Sequence, residues 1–193
     1  LALNDILAYV YKLGPQDFHY DETWLSSLGE AISRGDIADM MHYLKKGAPV
    51  HSNSKHVYLL NEATRLSFEE GVKLLLDSGA KELKDELGNT PLHNLAKSLG
   101  SGISRNRNIL KMLIDYGADV NDLNKNHETP LDMAVDYHEP EIADLLRKHG
   151  GKHGSINGAA VGGDTEAVKE FLATGTDVNA KNNYGKTPLH HSS

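Results

Sequence analysis

The chain has 193 residues, 39% hydrophobic and 24% charged, with a net charge of −7. That length and composition support a buried core and exclude a disordered chain, and an acidic balance with no lysine- or arginine-rich block argues against nucleic acid or an anionic membrane surface as partner. The absence of cysteine excludes disulfides and thiolate chemistry and fits a reducing compartment, the cytoplasm being the favoured location.

The longest apolar runs, such as Ile6-Leu7-Ala8-Tyr9-Val10-Tyr11, are too short to span a bilayer. Helix-period apolar residues recur instead. Leu7, Val10 and Tyr11 lead to Gly14; Met40, Tyr43 and Leu44 to Gly47; Val72, Leu75 and Leu76 to Gly79. Ile109, Leu110, Leu113 and Ile114 lead to Gly117; Ile142, Ala143, Leu145 and Leu146 to Gly150; Val168, Phe171 and Leu172 to Gly175. Each set is one face of a helix about ten residues long. The glycine after it supplies the left-handed backbone that commonly ends a helix. These glycines lie 33, 32, 38, 33 and 25 residues apart, which predicts a unit of about 33 residues with one insertion and one deletion.

A shorter helix precedes each of the longer ones. Thr-Pro-Leu stands at 90–92, 129–131 and 187–189. The threonine hydroxyl caps a backbone N–H, and proline loses nothing at the first helical position. Leu92, Leu95 and Ala96, then Leu131 and Ala134, then Ile156, Ala159 and Ala160 face inward. The unit is a short helix, a turn, a longer helix, a glycine stop and an extended polar excursion.

Together Gly88-Asn89-Thr90-Pro91-Leu92-His93, Tyr116-Gly117-Ala118-Asp119-Val120-Asn121, Glu128-Thr129-Pro130-Leu131-Asp132-Met133-Ala134, Gly175-Thr176-Asp177-Val178-Asn179-Ala180-Lys181 and Gly185-Lys186-Thr187-Pro188-Leu189-His190 resemble the ankyrin repeat family. The resemblance covers essentially the whole chain and is strongest from residue 79 onward. It implies an all-α solenoid of stacked helix-turn-helix units with short β-hairpin-like fingers. In that register a partial unit at 1–25 precedes complete units at 26–57, 58–89, 90–128, 129–153 and 154–186, with a cut-off unit at 187–193. Ser26-Ser27-Leu28 and Tyr58-Leu59-Leu60 take the Thr-Pro-Leu places in the weaker units. Both ends fall inside a repeat, so a piece of a longer protein is expected.

Three departures stand out. Thr90 to Gly117 is 27 residues against 21 from Thr129 to Gly150, so six extra residues lie within 99–107, read as a solvated loop or as a partner-contact loop carrying Arg105 and Arg107. Between Gly150 and Gly154 only Gly151-Lys152-His153 intervene, so one finger is missing near 150–155. Either the helices keep stacking there or a second stack begins at a changed angle. The resemblance also implies a left-handed residue two places before each threonine; Gly88 and Gly185 comply, whereas Trp24, His56 and His127 stand there in other units. Trp24 packs on its neighbour or forms an exposed anchor.

Catalytic, metal and cofactor chemistry finds no support. The eleven histidines include no His-Glu-x-x-His pattern, and Gly150-Gly151 breaks the helix between His149 and His153. Gly185-Lys186-Thr187 fails as a phosphate loop because its first glycine would fall at Ala180. The resemblance implies that His93 and His190 bond backbone and fix the turn. Asp119 and Asp177, with Asn121 and Asn179, recur at one repeat position and read as turn formers.

The expectation is a monomeric, non-enzymatic module that binds another protein on the concave face and finger tips, or a regulatory or targeting segment of a larger multidomain enzyme or effector. Candidate contacts are Lys55 and Arg65; Glu86, Leu87, Asn89, Lys97 and Ser98; Lys125, Asn126, Glu128, Asp136 and Tyr137; and Asn183, Tyr184 and Lys186. From these Leu87, Asn89, Lys97, Asn126, Tyr137 and Tyr184 form the preferred set. Leu87, Tyr137 and Tyr184 lead it because exposed apolar and aromatic side chains make anchors.

Overall fold

The computed structural model describes residues 22–50, 58–81, 84–97, 103–182 and 184–191. Among them are ten α-helices, a terminal 3₁₀ turn at Pro188–His191 and no strand. The helices are α1 (Glu22–Arg34), α2 (Ile37–Lys45), α3 (Leu59–Arg65), α4 (Glu69–Asp77), α5 (Pro91–Leu95), α6 (Ile103–Asp115), α7 (Pro130–Asp136), α8 (Pro140–Lys148), α9 (Ile156–Val161) and α10 (Thr165–Ala173). Consecutive helices pair, α1 with α2 through to α9 with α10. The first helices then stack in a row, α1 on α3 on α5 on α7 on α9, and the second helices stack α2 on α4 on α6 on α8.

The termini follow from local chemistry. Thr129 and Asp132 form a reciprocal capping box at the start of α7: Thr129 Oγ1 accepts from the Asp132 N–H and Asp132 Oδ2 accepts from the Thr129 N–H. Asp36, Ser155 and Asp164 cap α2, α9 and α10 with their side-chain oxygens. Gly47, Gly79, Gly117, Gly150 and Gly175 follow the second helices with φ between 83° and 94°. Gly14 lies outside the described residues, as do the partial unit up to residue 21 and His56.

The core is one cluster from Leu28 to Leu146. Leu28, Leu60, Leu92 and Leu131 fill the same place in successive first helices, all buried. From the second helices come Met40 and Leu44, Val72 and Leu75, Ile109, Leu110 and Leu113, then Ile142 and Leu146. Burying each such side chain contributes about 1.5–3 kcal/mol.

Two expectations are corrected. Trp24 lies within α1, which starts a turn before Ser26, so it does not hold the left-handed finger place, and Ser26-Ser27 are interior helical residues. His127 does hold that place, with φ of 60° beside 77° at Gly88 and 71° at Gly185. Residues 103–107 of the insertion are not loop. They start α6, which has 13 residues where α2, α4, α8 and α10 have nine. The extra turn is tied to the preceding pair: Ser67 Oγ donates to the buried Asn106 Oδ1 at 2.6 Å, and Asn108 Nδ2 donates to Glu69 Oε1 at 3.0 Å.

A candidate partner-binding face

Three fingers repeat one device. Asp85 Oδ1 accepts from the N–H groups of Leu87 and Asn89, at 2.9 and 2.8 Å. Asn124 Oδ1 accepts likewise from Asn126 and Glu128, at 2.9 and 3.0 Å. Asn182 Oδ1 accepts from Tyr184 and Lys186, both at 3.0 Å. Each side chain bridges two N–H groups two residues apart and folds the chain into a tight tip. A backbone bond closes each one, the N–H of residues 85, 124 and 182 donating to the carbonyls of 89, 128 and 186. The fingers are hairpin-shaped yet too short to build a ladder. Adjacent fingers are joined where the Lys125 N–H donates to the Leu87 carbonyl and where Lys84 Nζ meets Asp122 Oδ1 at 2.6 Å.

This device puts Leu87, Asn126 and Tyr184 at equivalent tips. Leu87 is 58% exposed, Tyr184 is 75% exposed, and Asn126 is exposed. Lys97 and Tyr137 are half-buried just past the ends of α5 and α7. Burial raises the Tyr137 phenol above its usual range, and the charges of Tyr184, Glu128 and Asp136 push the same way. Asn89 requires correction. It is 1% exposed, and its amide is spent inside the fold: Nδ2 donates to Asp85 Oδ2 and Oδ1 accepts from Asn124 Nδ2. The finger position suggested a surface residue, but two flanking polar side chains hold it inward. Lys55, Ser98 and Asn183 lie outside the described residues.

A second set of residues joins neighbouring pairs. Asn61, His93 and Asp132 each stand three places after the residue that opens a first helix. Asn61 Nδ2 donates to the Asn89 carbonyl at 3.1 Å. His93 Nδ1 accepts from the Thr90 N–H at 3.1 Å, which places the ring proton on Nε2. Nε2 donates to the Glu128 carbonyl at 2.9 Å. Burial pulls His93 below the usual histidine range, partly offset by that carbonyl. His190 meets Thr187 in the same way through Nδ1.

Asp132 inverts the polarity. A carboxylate only accepts, so the neighbour presents donors: the Gly154 N–H at 2.9 Å and His153 Nδ1 at 2.6 Å. The pair is almost wholly enclosed, with His153 and Asp132 side chains 1% and 2% exposed. Gly158, on α9, makes room for it. The departure from Thr-Pro-Leu-His was visible in the sequence; that His153 answers it was not. His149 is exposed, away from this buried pair.

Where the finger is missing, residues 150–154 run flat along the array. Asn121 Nδ2 donates to the Gly150 carbonyl, the Lys152 N–H to Asn121 Oδ1, and Thr129 Oγ1 to the Lys152 carbonyl. A cavity of about 340 Å³ remains between the flanking fingers, lined among others by Glu128, Asp132, Asp136, Asn157 and Lys181.

A family profile described as ankyrin repeats in three copies matches residues 28–124 and 60–157, and a second, ankyrin repeats in many copies, matches 159–193. The chain belongs to the ankyrin repeat family. Its ankyrin repeats are similar to those of diacylglycerol kinase iota from Rattus norvegicus, 31% identical over 122 residues, covering 61% of this chain and 11% of the relative. The Caenorhabditis elegans homolog of transient receptor potential cation channel subfamily A member 1 is 32% identical over 132 residues, covering 65% of this chain and 10% of the channel. Human ankyrin repeat and SOCS box protein 16 is 28% identical over 183 residues, covering 86% of this chain and 39% of that protein. The chain thus spans about a tenth of the kinase and channel relatives. Ankyrin repeats imply protein–protein interaction.

Proposed function

We propose that this ankyrin array is a non-enzymatic module that binds a partner protein along its finger tips and the ends of its first helices. The observation that carries the reading is the row of equivalent tips, with Leu87, Asn126 and Tyr184 held out by the same hydrogen-bonded turn and Tyr137 beside them. Exposed leucine and tyrosine on a rigid frame cost little entropy to immobilise and make effective anchors. Lys97 lies at the margin of this surface. The accessible residues of the preferred set remain its contacts; Asn89 serves the scaffold.

The relatives bear a kinase, a channel and a SOCS-box name yet share the ankyrin region. This favours a second reading in which the array regulates or targets a larger enzyme or effector, any activity residing elsewhere. Affinity capture followed by cross-linking mass spectrometry tests the face. Cross-links should gather at the tips and first-helix ends, and Leu87→Ser with Tyr184→Ser should weaken capture by about tenfold or more at unchanged urea midpoint. Cross-links gathered on α2, α4, α6 and α8 would refute the assignment.

A further inference from the structure

Neighbouring fingers of this array dock on one another through the backbone. The second finger sits on the first with its Lys125 N–H donating to the Leu87 carbonyl at 3.0 Å. An ion pair flanks that bond, from Lys84 of the first finger to Asp122 of the second. Eleven residues separate Gly117 from Thr129 and form the second finger, whereas three separate Gly150 from Gly154. The first helices stack without a break from α7 to α9 to the turn at Pro188–His191, so the gap between the flanking fingers is one finger wide. On its near wall the Asn126 carbonyl, the equivalent of the Leu87 carbonyl, accepts from no described residue. Both charges of the flanking ion pair are replaced as well. Leu123 stands where Lys84 stands in the first finger; it is 41% exposed and lies against Gly154 in the notch. On the far wall Ala180 stands where Asp122 stands in the second finger.

We infer that a tight turn of the partner protein fills this gap in the manner of a finger, donating a backbone N–H to the Asn126 carbonyl and presenting uncharged, apolar side chains to Leu123 and Ala180. The inference rests on the partner-binding reading above and names what one part of that face receives. The array itself supplies the template, since this is how its second finger meets its first. The charged side chains of the lining select no ion: Glu128 is engaged by Asn124 and Asn126, Asp136 is partnered, and Lys181 stands on the other wall. A backbone donor is what the near wall lacks, and a turn brings one already folded, with little entropy left to lose on docking. The cavity of about 340 Å³ suits the tip of one turn.

The test uses the ¹⁵N-labelled chain and a cyclised peptide of residues 119–128, the second finger, with a peptide of the same composition in scrambled order as comparator. The finger peptide should give saturating shifts at the His127 N–H, which adjoins the Asn126 carbonyl, at the Gly154 N–H, and at the Lys181 and Asn182 N–H groups across the gap. Methylating the peptide's Lys125 nitrogen removes the docking donor and should weaken binding about fivefold or more. Asp122→Val in the peptide should tighten it about threefold, because Leu123 offers an apolar contact in place of a lysine. No saturating shift at those groups, an equal response to the scrambled peptide, indifference to methylation, or weaker binding of the valine form would overturn the inference. Concentration-dependent shifts at the same groups in the chain alone would put a second copy there and overturn the partner assignment. A silent notch beside tip cross-links discards this inference alone. Peptide-induced shifts beside cross-links on the second helices would keep the notch and discard the wider face.

Discussion

Three places into each first helix, one side chain decides how a pair holds its neighbour. Asn61 and His93 donate to a carbonyl of the next pair, whereas Asp132 accepts from an N–H and an imidazole. Each bond contributes about 0.5–1.5 kcal/mol net and costs more if one partner is left behind. For His93 the consequence is a pH dependence. Its folded-state pKa lies below the ordinary 6.5, chiefly through burial, so the unfolded chain takes up the proton first. Its contribution is fully present above pH 6.5 and is lost as pH falls from there through the lower folded value. Urea midpoints measured from pH 8 to pH 5 should fall less steeply in His93→Asn, which retains a donor of the kind Asn61 supplies. Parallel curves for parent and variant would contradict this.

Between elements, α7 and α9 approach closely at Gly158. A Cβ there would stand 1.9 Å from Asp132 Oδ1 and 2.4 Å from Cγ. Gly158→Ala should therefore destabilise the chain by about 3 kcal/mol, at the upper end of overpacking, because the carboxylate it displaces is held by buried bonds. Asp132→Ala should also destabilise it, leaving His153 Nδ1 and the Gly154 N–H unpaired. Guanidinium unfolding of the double variant should show a loss well short of the sum, since the two changes share one space; strict additivity would count against the clash. Helices and their stops were legible in the sequence because a 3.6-residue apolar period and a terminal glycine are local signals. The start of α6 was not, because what holds it is Ser67, 39 residues before Asn106. Asn89 was misplaced for the same reason: its partner Asn124 comes from the next finger, 35 residues away. The Asp132–His153 contact crosses 21 residues, and no periodicity reports it.

Across the molecule, the apolar core is continuous to Leu146 and then meets a polar layer. Ile156 and Ala159 are buried beyond it, but the Asp132–His153 pair stands between, and α10 contributes no buried residue. In a stack whose stability is a sum over neighbours, a weaker interface divides the cooperative unit. Amides of α9 and α10 should exchange with deuterium at least about tenfold faster than those of α3 to α6, a gap of roughly 1.4 kcal/mol in opening energy. Uniform protection along the array would refute the division. The same layer sets how the array answers tension. Leucine contacts slide and reform over several ångströms, whereas the Asp132–His153 bond is lost within about one, since hydrogen bonds are short-ranged. Pulled end to end, the chain should yield abruptly at that seam while the leucine-packed pairs still stretch, which makes residues 150–154 a mechanical fuse.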